Sequence, residues 1–103
     1  MAGRSSYHLL PAADGDLDDI FAFGLEQFGW QPAEAYARAL GDVFQLLADN
    51  PILGASRDHV VVGLRAFQSN AHTIFYRQVR ADQHGTIVVV RVLGAKMDYP
   101  RHL

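Results

Sequence analysis

The chain opens on a short apolar stretch, "SYHLL" at 6–10, that reads as a first strand. Leu17, Ile20, Phe21, Gly24 and Phe28 then recur at the spacing of one helical face and predict a buried stripe. Pro11 suits the first turn of that helix, where a missing N–H costs nothing. "FGWQPAE" interrupts the pattern: Gly29 ends the first helix and Pro32 opens the next. Tyr36, Leu40, Val43, Phe44 and Leu47 form a second stripe, which "DNP" at 49–51 stops. So short a connection predicts an antiparallel helical hairpin.

Beyond residue 50 the period changes. "PILGASRDHVVVG" at 51–63 is rich in turn formers and reads mainly as loop. "LRAFQ" (64–68) alternates as a strand, "SNA" makes a turn, and "HTIFYRQV" (72–79) is the next strand. "RADQHG" (80–85) is a hairpin loop closed by Gly85, and "TIVVVRVLG" (86–94) is the most sustained β-branched run in the chain. The order β-α-α-β-β-β predicts an α+β fold of two layers: an N-terminal strand and a helical hairpin packed on a mostly antiparallel sheet. A chain of 103 residues has room for one such domain, 1–103. Gly15, Gly24 and Gly41 each weaken the helices by about 1 kcal/mol relative to alanine. Close helix–helix approach is the expected reason for Gly24 and Gly41.

Composition narrows the chemistry. With no cysteine, disulfides, thiolate catalysis and Cys-based metal sites are excluded. The five histidines (His8, His59, His72, His84, His102) have no ligand spacing, so no metal is expected, and His72 is assigned a structural role. There is no HExxH, no Gly-rich phosphate loop and no GxSxG elbow, so neither a catalytic residue nor a cofactor is expected. Asp14, Asp16, Asp18 and Asp19 dress the positive end of the first helix dipole. No apolar run spans a bilayer and the N-terminus lacks a signal-peptide core, which fits a cytoplasmic protein.

The net charge of −2 is unevenly spread. Residues 1–50 hold eight acids against Arg4 and Arg38, whereas 51–103 hold three acids against seven basic residues. Either an acidic helical layer lies on a basic sheet, or a basic face meets an acidic partner. Alternation puts Thr73, Phe75, Arg77 and Val79 on one face of their strand, and Ile87, Val89, Arg91 and Leu93 on one face of the next. Arg91 thus stands in an apolar strand. It is either bridged to an acid such as Asp98 or presented on an open sheet face. On a helical wheel Phe23 and Trp30 share one line, about 120–140° from the centre of the buried stripe. Such a pair is a wide core edge or a partner surface.

Four stretches in order carry a resemblance: "LPAADGDLDDIFAF", "YARALGDVFQLLADNPILG", "GLRAFQSNAHTIFYR" and "VVRVLGAKMDYPRHL". Together they resemble the ParE toxins of bacterial type II toxin–antitoxin systems, within the RelE/ParE superfamily, over Tyr7 to Leu103. The resemblance implies a toxin that inhibits DNA gyrase by binding it. It also implies a ParD-like ribbon-helix-helix antitoxin encoded beside it, and contact with nucleic acid only through that antitoxin. Phe23, Phe28, Trp30, Tyr36 and Arg65 are then the candidate antitoxin-binding residues, since a partner helix docks through apolar anchors. Arg77, Arg91, Lys96, Met97, Asp98 and Arg101 are the candidate target-binding residues.

Two departures stand out. Leu10 replaces the serine that usually precedes the proline, so the customary N-cap oxygen is absent. Gly94, Ala95 and Lys96 stand where the family often has His-Gly-Arg after leucine, and lysine presents no planar fork. The alternatives are a ribosome-dependent messenger-RNA endonuclease of the RelE branch, or a decayed toxin that only binds antitoxin. The nuclease would recruit Arg77, Arg91, Lys96, Arg101 and His102, yet the net acidic charge runs against an RNA-binding domain.

Overall fold

The computed structural model describes residues 5–79, 86–95 and 99–103. Strand β1 (Ser6–Leu9) leads into helix α1 (Pro11–Phe28), and helix α2 (Trp30–Asp49) follows after a single residue. The sheet continues with β2 (Ala55–Ser56), β3 (Arg65–Ser69), β4 (His72–Gln78) and β5 (Thr86–Gly94), and a 3-10 turn spans Tyr99–Arg101. The strand order is β1-β5-β4-β3-β2, with β1 parallel to β5 and every other pair antiparallel. The expected α+β architecture is present. One strand was not anticipated: the two-residue β2 lies in the stretch read as loop. The hairpin loop 80–85, with His84, lies outside the described residues.

Gly29 is the whole interhelical connection. Its φ of 90° is open to glycine at little cost, and its N–H reaches Leu25 O at 3.1 Å while its own carbonyl accepts from Ala33 N–H. Helix α2 therefore starts at Trp30, earlier than expected, and Pro32 falls within its first turn, where a missing N–H is tolerated. Helix α1 has no side-chain cap at Leu10.

The main core lies between the helices and the sheet. Leu40, Phe44, Leu47 and Ala48 of α2 pack on Ile74, Tyr76, Ile87, Val89 and Val92, with Ala13 from α1. Tyr7 of β1 tilts against Phe44, ring centres 5.3 Å apart. Gly41, expected at a helix–helix contact, faces Tyr7 instead, and a Cβ there would meet only its hydroxyl at 3.9 Å. A second, smaller cluster covers the far side of the sheet: Leu64, Ala66, Phe75 and Leu93, with Val90 and Leu103 packed against it.

A bulge divides β5. Tyr76 pairs with Val89 but Phe75 pairs with Arg91, leaving Val90 as the extra residue. Strict alternation over 87–93 therefore fails. Ile87 and Val89 face the helices, Val92 rejoins them after the bulge, and Leu93 goes to the far cluster. Arg91 thus pairs with a residue of the far cluster, and Arg77, two residues from Phe75, lies on that same side.

The "NPILG" stretch owes its form to one buried hydroxyl. The Tyr76 hydroxyl donates to Pro51 O at 2.9 Å and accepts the Gly54 N–H at 2.7 Å, clamping the exit of α2 to the sheet.

Candidate functional site

The stripe Leu17–Ile20–Phe21–Gly24–Phe28 is not buried as expected. Leu17 and Ile20 are half-buried, and Phe28 at the C-terminal end of α1 is 68% exposed. The reason is the size of the facing residues. Gly24 meets Ala33 so closely that an added Cβ would lie 3.2 Å from the Ala33 Cβ. Beyond that contact Ala33 and Ala37 of α2 are too small to fill the space between the helices. The result is an apolar groove of about 410 Å³ between α1 and α2, lined also by Ala71 and His72. Leu17, Ile20 and Leu40 line it, and Phe23, 62% exposed, stands with Phe28 among its aromatic residues.

Of the residues assigned to antitoxin binding, Phe23, Phe28 and Tyr36 come together here. Trp30 adjoins them through Phe21, which lines the groove and meets the indole edge-on with ring centres 5.6 Å apart. Arg65 does not join them. It lies on β3, where it donates to Gly54 O at 2.7 Å and to Ile52 O at 3.4 Å.

One polar pair interrupts the apolar lining. The Tyr36 hydroxyl and His72 Nδ1 are 2.6 Å apart. Burial holds His72 below its ordinary value despite the nearby charge of Asp16, and burial pushes Tyr36 upward against a backbone hydrogen bond from Ala71. Imidazole is therefore neutral and the phenol protonated at pH 7, and the tautomer of His72 sets which of the two donates.

The arginines divide. Arg77 is exposed and lines a polar cleft of about 380 Å³ with Ser56, Asp58, Val62 and Arg65. It has no ion-pair partner among the described residues. Arg91 is engaged: its Nε and one terminal nitrogen donate to Asp16 at 2.8 and 2.7 Å, and the other donates to His102 O at 2.9 Å. Asp16 also accepts the Val92 N–H at 2.9 Å. The β1–β5 pairing ends at Val89, so Asp16 satisfies a donor of β5 past the end of its neighbouring strand. Asp98, offered as the acid for Arg91, lies outside the described residues, as do Lys96 and Met97; the partner is Asp16. Arg101 is exposed on the 3-10 turn.

Nothing in the spacing of Asp14, Asp16, Asp18 and Asp19 marked the second of them, since its partner is 75 residues away. Burial raises the Asp16 carboxyl, but the hydrogen bonds from Arg91 and Val92 and the charge of Arg91 outweigh this and hold it below the usual carboxylate range. A carboxylate lowered on folding stabilises above its unfolded value, and that stabilisation is lost as pH falls through the folded value. The gap in urea midpoint between the native chain and Asp16→Asn is thus expected to be full at pH 7 and to shrink as the pH falls through the lowered carboxyl value. A gap that widened in acid would contradict the assignment.

Comparison with known proteins bears on these surfaces. The family model for the ParE toxin of the type II toxin-antitoxin system, parDE, matches residues 7–99. A Mycobacterium tuberculosis protein named Toxin ParE1 is 38% identical over 99 residues, covering 96% of this chain and 98% of its own length. Toxin ParE1 of Caulobacter vibrioides is 33% identical over 98 residues, covering 94% and 96%. A solved structure described as the chromosomal ParDE TA system from P. aeruginosa superimposes with a TM-score of 0.71 at 20% identity, covering 88% of this chain and 96% of that one. At that identity the likeness speaks for the fold.

Proposed function

We propose that this chain, which belongs to the ParE toxin family of type II toxin–antitoxin systems, inhibits DNA gyrase by stoichiometric binding in the cytoplasm and is held inactive by a ParD-like antitoxin. The observation that carries the antitoxin half is the open groove with Phe23 and Phe28 exposed beside it. A soluble chain leaves such a surface apolar when a partner covers it. A ribbon-helix-helix antitoxin would dimerise through one segment and lay an amphipathic helix between α1 and α2 with the other. The groove selects apolar anchors, and its Tyr36–His72 pair offers one polar contact.

The target surface lies elsewhere. Arg77 and Arg101, both exposed, are the described residues of the surface that meets gyrase. Arg91 supports a binding role over a ribonuclease, because each of its three guanidinium nitrogens already donates to a protein oxygen. A phosphate-stabilising arginine needs donors aimed at developing charge.

Purified toxin, freed of antitoxin, is expected to abolish gyrase supercoiling at molar excess, and added antitoxin to restore it. Unchanged supercoiling would sink the gyrase assignment. Specific messenger cleavage on ribosomes would replace it with the nuclease.

A further inference from the structure

The geometry points to Asp16 as a positioning residue that, acting through Arg91, fixes the closing segment 99–103 against the far side of the sheet. This rests on the reading of that segment as part of the target surface. Asp16 sits in α1, on the other side of the β5 edge from the residues it controls. It makes three hydrogen bonds: two from the Arg91 fork and one from the Val92 N–H. The paired side chains are largely withdrawn from solvent, Arg91 at 23% and Asp16 at 12% exposure.

A guanidinium is planar, so fixing one edge fixes the direction of the other. With two of its nitrogens held by Asp16, Arg91 aims the third at His102 O. Leu103, the next residue, packs against the cluster of Leu64, Ala66, Phe75 and Leu93. A charged hydrogen bond and an apolar insertion thus both help to hold the segment, and the first depends on Asp16 orienting the fork. Arg101 lies one residue before the held carbonyl, so the same bond restrains its backbone. Asp16 is the half-buried member of its acidic cluster and the one bonded to the Arg91 fork, whereas Asp14, Asp18 and Asp19 are exposed.

The roles of the pair and of the segment separate experimentally. Asp16→Asn keeps the shape but removes the charge, and Arg91→Lys keeps the charge but lacks the fork. In both, amide hydrogen exchange at 99–103 is expected to rise about tenfold, the loss of one charge-assisted hydrogen bond. Antitoxin affinity should stay within about twofold, since neither residue lines the groove. Gyrase inhibition should fall in step with the exchange. Val43→Ala, which loosens the core away from this segment, should leave exchange at 99–103 unaltered, whereas a purely stabilising Asp16 would make the two variants act alike there. Native exchange at 99–103 in Asp16→Asn, with the protein still folded by circular dichroism, overturns the positioning role. Undiminished inhibition despite raised exchange overturns its functional part. Arg101→Glu tests the underlying reading by itself: normal exchange with lost inhibition supports it, and normal exchange with intact inhibition refutes it.

Discussion

Gly54→Ala is expected to destabilise the protein by roughly 2–4 kcal/mol, from one added methyl. An ideal Cβ at Gly54 would stand 2.6 Å from the Tyr76 hydroxyl, 2.8 Å from its Cε1 and 3.0 Å from Ala66 O. None of the three can retreat cheaply. Tyr76 is fully buried, its hydroxyl is fixed by Pro51 O, and Ala66 O belongs to the backbone of β3. The methyl would push the loop outward and break the Gly54 N–H bond to the hydroxyl. Tyr76→Phe should cost about 2 kcal/mol on its own, because it strands the Gly54 N–H and weakens the hold on Pro51. In the double variant the nearest clash disappears with the hydroxyl oxygen, so the two losses should sum to less than the separate effects. Urea midpoints for the four proteins test this. A strictly additive cycle would mean that the two sites do not touch as described.

That clamp also explains what the sequence could and could not disclose. "DNPILG" was legible as the stop of a helix, because Asn, Pro and Gly act locally. That Gly54 is required by a tyrosine 22 residues later was not, since the contact is made in space. The same division holds throughout. β5 matches its expected range of 86–94 because a β-branched run with turn formers before it needs no distant partner. Its bulge at Val90 left no mark, and so the faces expected for Arg91 and Leu93 went astray.

The candidate site divides likewise. Phe23 and Trp30 announced themselves by lying off the apolar stripe, and both are exposed. Phe28 was placed in the core because helical periodicity reports which residues share a face, not whether the opposite wall is present. Here that wall is Ala33 and Ala37, so the stripe lines a groove. Arg65 was grouped with the aromatic residues by resemblance alone; it lies on β3, apart from the groove, bonded to Gly54 and Ile52. Arg91 had two open readings; a bidentate bond to an acid in α1 gives it a structural attachment that spacing could not supply.

Phe28→Glu should lower antitoxin affinity by about 100-fold or more while leaving folding stability within about 0.5 kcal/mol. The separation of effects follows from exposure. At 68% exposed, Phe28 contributes little to the protein's own core, so the folded state loses little when it is replaced. In the complex, by contrast, a carboxylate would be drawn into a groove lined by Leu17, Ile20, Phe21 and Leu40, where desolvation is uncompensated. Leu40→Ala makes the opposite trade: it is 2% exposed, so its loss should cost about 2–5 kcal/mol of stability whether or not a partner binds. Arg77→Glu completes the comparison, because Arg77 lines the separate cleft beside β3 and should leave antitoxin affinity unchanged while weakening gyrase inhibition. Calorimetric titration of the three variants with a ParD-like antitoxin that binds the native chain, alongside supercoiling inhibition, reads out both surfaces. If Phe28→Glu binds antitoxin as tightly as the native chain, the α1–α2 groove is not where the partner sits. If Arg77→Glu loses antitoxin instead, the two surfaces have been assigned the wrong way round.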